Sequence, residues 1–255
     1  MNKKYTLYLA STKLKDNIKT KIYKILSSLK EAIGGTDQDF TKGSLRKAIF
    51  LLSVPMVLEM IMESIFAVVD IYFVAKLGAD AIATVGITES LITIIYAVAV
   101  GLAMATTALV SRRIGENDHK RADRAAFQSI ITGVVASLLI AIPGVIFAED
   151  LLILMGSTEN MYTNMSGYTK LMLGGNIVIM LLFIINAIFR SAGDAAISMR
   201  ILIVANGLNI ILDPILIFGF GPIPAFGITG AAIATNTGRG IAVLYQFYIL
   251  FKGNK

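Results

Sequence analysis

The sequence predicts an all-α fold, a polytopic membrane bundle of six transmembrane helices. Three observations carry this. Of 255 residues, 56% are hydrophobic and only 16% are charged, with a mean hydropathy of +0.74, too little charge to keep a soluble domain of this size dissolved. Several apolar stretches reach the roughly 20 residues that cross a hydrocarbon core of about 30 Å. Finally, Lys and Arg alternate from loop to loop as membrane topology demands.

Composition also excludes some chemistry. With no Cys, disulfides and thiolate metal sites are ruled out. The single His119 lies in a charged loop, which excludes a His-rich metal centre and argues against a Ser-His-Asp triad. The net charge of +6 is spread over a tail and alternating loops rather than gathered into a nucleic-acid-binding patch.

Residues 1–44 read as a basic, amphipathic cytoplasmic tail. Leu14, Ile18, Ile22, Ile25, Leu29 and Ile33 recur at helical spacing before Gly34-Gly35 ends the pattern. Two readings stand, a frayed tail or a helix lying on the anionic inner leaflet. The segment lacks the continuous apolar run of a signal peptide.

The helical membrane unit occupies 45–251. Span 1 runs from about Leu45 to Phe73, with Ser44 as N-cap and a kink at Pro55. Span 2 covers about Ile82–Val110, and span 3 about Ala125–Phe147. Span 4 covers about Tyr168–Phe189, span 5 about Ser198–Phe220, and span 6 about Ile228–Phe251. Residues 252–255 form a short cytoplasmic end. Eleven Lys and Arg occur by Lys47, and five more follow span 2: Arg112, Arg113, Lys120, Arg121 and Arg124. Arg190 and Arg200 follow span 4, and Lys252 and Lys255 follow span 6, whereas the other side has only Lys76 and Lys170. The expectation is a multi-pass protein of the cell membrane with both termini cytoplasmic.

Polar residues within the spans mark the candidate site, because ionisable groups at membrane depth are costly and functional by default. Glu59, Glu63 and Asp70 fall within about 40° on one face of span 1, so they should face a bundle interior or an aqueous cavity. In span 5, Asn209 and Asp213 share a face. Pro214 has no N–H and so leaves the Ile210 carbonyl without its usual donor. Span 6 offers small residues for close packing, together with Thr235 and, one turn deeper, Arg239. Arg239 is expected to pair with Glu59, Glu63 or Asp213. A tight Gly/Pro loop joins spans 5 and 6, which sets Asp213 and Thr235 at matching depth with Asp70 at a compatible level. Packing of spans 1, 5 and 6 then gives one outer-half site of Asp70, Asn209, Asp213 and Thr235. Neighbouring carboxylates such as Asp70 and Asp213 titrate as a coupled pair, which suits exchange of a proton or Na⁺ for an organic cation. Glu89, near the outer end of span 2, reads as solvated.

Ordered motifs along the chain resemble the N-terminal lobe of multidrug and toxic compound extrusion (MATE) transporters. They are TKGSLRKAIFLLSVPMV, VVDIYFVAKLG at 68–78, VSRRIGENDHKRAD at 110–123, FRSAGD at 189–194, GLNIILDPILIFG at 207–219 and FGITGAAIAT at 226–235. The resemblance covers about Phe40–Phe251. It implies one six-helix lobe of a two-lobe transporter, not an enzyme and without a cofactor, in which the coupling ion is a proton or sodium. It implies that Asp70, Asn209, Asp213 and Thr235 form the coupling-ion site, and that Asn186 lines the cavity. Glu59, Glu63 and Arg239 join the substrate cavity from the residue reading, with no metal beyond sodium at the coupling site. The implied partners are an organic, cationic small molecule, the lipid bilayer, and a second lobe or a homodimer partner. Because family members carry two lobes and this sequence matches one, it is expected to be a truncated product, a fragment or a half-transporter. Three other functions are left: a lipid-linked oligosaccharide flippase, a non-transporting lobe and an intramembrane enzyme. The carboxylates argue against the flippase. The lack of an Asp-rich or GxGD-type motif argues against the enzyme.

Overall fold

The computed structural model describes Tyr23, residues 27–34 and residues 44–253. Helix α1 occupies 27–34. The helices that follow are α2 Leu45–Ala75, α3 Ala79–Gly115, α4 His119–Ile146, α5 Ala148–Leu154, α6 Glu159–Asn164, α7 Ser166–Gly174, α8 Asn176–Ser191, α9 Ala195–Phe218 and α10 Ile228–Lys252. Five segments are long and apolar enough to cross a membrane: α2, α3, α4, the α7–α8 pair and α9. The sixth expected span is present as α10, 25 residues long. It is less apolar because Thr235, Asn236, Thr237 and Arg239 interrupt it, and it turns Thr235, Gly238 and Arg239 inward.

Helix ends follow local chemistry. The GEND and SAGD stretches are turns that end in a capping Asp. Asn117 adopts φ 56°, and Asp118 accepts from the Arg121 amide at 3.0 Å. Asp194 likewise accepts from the Ile197 amide at 3.1 Å to start α9. Glu116 takes hydrogen bonds from Arg112 and Arg113, which hold its carboxyl below the usual range. Ser44 stands at the start of α2, where its carbonyl accepts from the Lys47 and Ala48 amides, but its side chain makes no capping bond. The helix continues through Pro55.

Span 4 differs from expectation. It breaks at Gly175 into α7 and α8. At the break Asn176, fully buried, donates to the Leu173 carbonyl at 2.6 Å and accepts from the Ser137 hydroxyl at 2.6 Å. Asn236 donates to the Leu171 carbonyl at 3.0 Å. A buried break must satisfy its freed backbone groups in this way. Gly175 lets Asn236 approach, since a Cβ there would lie 2.6 Å from the Asn236 Cγ.

Helix α9 packs between α2 and α10, while α3 packs on α8 and α4, and α4 on α7 and α8. Gly230 brings the α10 backbone against α9, where a Cβ would stand 2.9 Å from the Ile217 nitrogen and closer still to the Leu216 carbonyl. Backbone cannot move aside as a side-chain tip can, so Gly230→Ala is expected to cost about 1–3 kcal/mol, read as a lower midpoint in detergent or thermal unfolding.

Most of the amphipathic tail pattern lies outside the described residues. The described part, α1, is tied to the starts of α2 and α9. Lys47 pairs with Glu31 at 2.8 Å, and Arg200 donates to the carbonyls of Ile33 and Gly34. Ala32 is buried.

Candidate functional site

A cavity of about 400 Å³ opens between α2, α3, α7, α8 and α10, with Leu202 of α9 at its edge. The α2 stripe faces it: Glu59, Glu63 and Asp70 all line the wall, as helical spacing requires once one of them does. Asn186, Arg190, Arg239, Thr235 and Glu89 line it too, with an aromatic share from Phe66, Tyr96, Tyr168 and Phe183. Four carboxylates and two guanidinium groups therefore face one space, a formal excess of two negative charges.

The two arginines are each held by a glutamate. Arg239 donates to Glu63 at 2.6 Å and to the Tyr96 hydroxyl at 3.0 Å, and its guanidinium lies 5.4 Å from the centre of the Phe66 ring. Among the three carboxylates expected as its partner, it chooses Glu63. Its side chain is only 8% exposed, against 41% for Glu63. One turn earlier, Glu59 pairs with Arg190 at 3.4 Å. Arg190 was read as a loop cation, and its place on the cavity wall has no signal in span counting. Asn186 accepts from the Gln246 amide at 2.7 Å, which fixes its orientation.

The four residues expected to form one site divide into two linked parts. Asn209, Asp213 and Thr235 form a buried cluster between α9 and α10. With the Asn209 amide turned to satisfy both neighbours, its nitrogen donates to Asp213 Oδ2 at 2.7 Å. Its oxygen accepts from the Thr235 amide at 3.0 Å and the Thr235 hydroxyl at 3.1 Å. The opposite orientation keeps only a bond to Thr235 Oγ1 and sets oxygen against oxygen at Asp213, so hydrogen bonding selects the first. Asp70 makes no hydrogen bond to this cluster, but it lies within Coulombic reach of Asp213. Asp70 and Asp213 each keep one oxygen, Oδ1, shut from solvent without a partner. Of the four, Asp70 and Thr235 also border the cavity, whereas Asn209 and Asp213 lie behind its wall.

Glu89 is exposed, as a solvated residue should be, but it also stands on the cavity wall, ten residues into α3 and so about 15 Å from the helix start. Its spacing to Tyr96, two turns on, carries the signal that sequence reading missed.

The sequence signature of the MatE family matches residues 55–215. Among curated relatives, the "FAD transporter" of Shewanella oneidensis is 31% identical over 72% of this chain and 41% of its own length. "Multidrug export protein MepA" of Staphylococcus aureus is 28% identical over 84% of this chain and 47% of its own. "Probable multidrug resistance protein NorM" of Thermotoga maritima is 27% identical over 82% and 45%. Among solved structures, a MOP superfamily transporter from Pyrococcus furiosus superposes with a TM-score of 0.76 at 33% identity, over 82% of this chain and 45% of that one. The chain thus spans less than half the length of the curated relatives it matches.

Proposed function

This chain belongs to the MatE family, and on that premise we propose that it is one lobe of a cation-coupled exporter of organic cations in the cell membrane, with both termini cytoplasmic. The observation that carries the reading is a carboxylate on the wall of an acidic, aromatic-lined cavity, Asp70, with a buried carboxylate behind that wall, Asp213, each keeping one oxygen shut from solvent without a partner. Two carboxylates with the Thr235 hydroxyl beside them offer hard oxygen donors, suited to a proton or to Na⁺. Asp70 borders both regions, so occupancy of one site bears electrostatically on the other. That is the differential interaction that exchange requires.

The pairing of both arginines with glutamates favours cationic over phosphate-bearing substrates. A flavin nucleotide or a lipid pyrophosphate would need a guanidinium free to receive it, which argues against the flippase alternative. The role is transport rather than catalysis. Across the cavity mouth we place a second six-helix lobe or a second copy of this chain, since alternating access in such transporters uses two repeats.

The test is linkage. Purified protein in nanodiscs is titrated with an organic cation, and proton release is followed by calorimetry in buffers of different ionisation enthalpy, with and without Na⁺. Release of a proton, or an affinity that falls as Na⁺ rises, is the expected result. Binding indifferent to both ions would sink the coupling reading.

A further inference from the structure

The carboxylates of the cavity are not equivalent. Glu59 and Glu63 already hold counter-ions, from Arg190 on α8 and Arg239 on α10. Asp70 turns one sealed oxygen away from solvent and lies within reach of Asp213. Glu89 is exposed along the wall, and alone among the four its side chain is open to solvent with no hydrogen bond or ion pair among the described residues.

Its setting is built for an organic cation rather than for bulk water. Glu89 and Tyr96 are seven residues apart, which puts them on the same face of α3. The Tyr96 ring packs edge-on against Phe183, with centroids 5.8 Å apart. Aromatic faces beside an unpaired carboxylate in a low-dielectric wall attract a delocalised cation by charge and by ring quadrupole together. The cavity, about 400 Å³, falls within the size range of small-molecule sites.

Resting on the organic-cation reading above, we infer that Glu89 is the carboxylate that takes the substrate's positive charge. Arg190 and Arg239, by neutralising Glu59 and Glu63, limit the cavity to singly charged substrates. The charge count follows from the pairing. Two glutamates are ion-paired, Asp70 keeps one oxygen sealed from solvent, and the Glu89 carboxylate is the one left open to the substrate. A dication finds no second free carboxylate except at the coupling cluster. Removing one guanidinium frees a glutamate and supplies that second position.

Ethidium and propidium share an aromatic core and differ in carrying one or two positive charges, so they form the test pair. Binding to the purified protein in zwitterionic nanodiscs is read by fluorescence anisotropy. The wild type is expected to prefer ethidium. Glu89→Gln should weaken ethidium at least about tenfold, while Asp80→Asn, on the same helix but hydrogen-bonded to Asn160 outside the cavity, leaves it within about twofold. Arg239→Met should shift the propidium-to-ethidium affinity ratio at least about tenfold towards propidium. Arg190→Met is the second variant, freeing the more buried Glu59, and is used if Arg239→Met does not fold. The inference is overturned if Glu89→Gln binds ethidium as the wild type does, or if the ratio stays put when the guanidinium is removed. If neither dye binds the wild type, the cation-export reading fails as well, so the two failures are distinguishable.

Discussion

Asp213→Asn is expected to uncouple the protein without unfolding it. Asp213 is fully buried, and Asn has nearly the same shape. An Asn at 213 still offers an oxygen to the Asn209 amide, which now donates at 2.7 Å, so the hydrogen-bonded link to Thr235 persists. What disappears is the charge, and with it the ability to bind a proton or Na⁺. Coupled sites typically change each other's affinity by about 5–150-fold, and in this variant the factor should fall to about one. The readout is the affinity for an organic cation measured at two pH values and two Na⁺ concentrations. The wild type should shift along one of these axes, and the variant along neither. A thermal midpoint close to the wild type completes the case, because a collapsed variant would lose binding altogether rather than its ion dependence. Ion-dependent binding that survives in Asp213→Asn would move the coupling role to Asp70 alone, and Asp70→Asn would then carry the effect.

How much of this was readable beforehand differs by residue. Asn209 and Asp213 were legible because both sit on one helix at i, i+4, where spacing alone fixes the shared face. The α2 stripe of Glu59, Glu63 and Asp70 was legible for the same reason. Which arginine meets which glutamate was not, since it depends on the rotation and tilt of α8 and α10 about their own axes, and no one-dimensional pattern encodes those. Arg190 shows this best: it sits where loop cations are counted, yet its guanidinium reaches Glu59, 131 positions earlier in the chain. The break at Gly175 was hidden because α7 and α8 together read as one apolar run. Its signature is Asn176, a polar residue fully buried within that run and explicable only as a partner for exposed backbone. Helix α10 was legible as a span from the alternation of loop charges, although it is not apolar enough to stand out by hydropathy as the other five do. Its inward face covers α9 and the site, and needs no lipid-facing composition there.

The second large effect is an asymmetry in the Glu63–Arg239 pair. Glu63→Leu is expected to destabilise the fold by about 3–5 kcal/mol. The guanidinium it leaves behind is 8% exposed and would retain the Tyr96 hydroxyl and the Phe66 ring as its direct contacts but no ion pair. Arg239→Met should cost much less, because the glutamate it leaves is 41% exposed and can be solvated from the cavity. Methionine also fills the space of the Arg stem over Phe66. The double variant Glu63→Leu/Arg239→Met should recover most of the loss, since replacing a buried pair by apolar side chains of similar volume is often neutral. Unfolding midpoints of the four proteins, wild type included, form a double-mutant cycle that measures the coupling directly. Equal losses for the two single variants, with no recovery in the double, would show that Arg239 does not depend on Glu63 for its charge balance. The asymmetry matters for function because it makes Arg239 the expendable member of the pair. A substrate cation that competes for Glu63 would strand a buried guanidinium, whereas one held at Glu89 leaves the pair intact. The stability cycle therefore tests, without any ligand, why the cavity would steer its cargo away from Glu63.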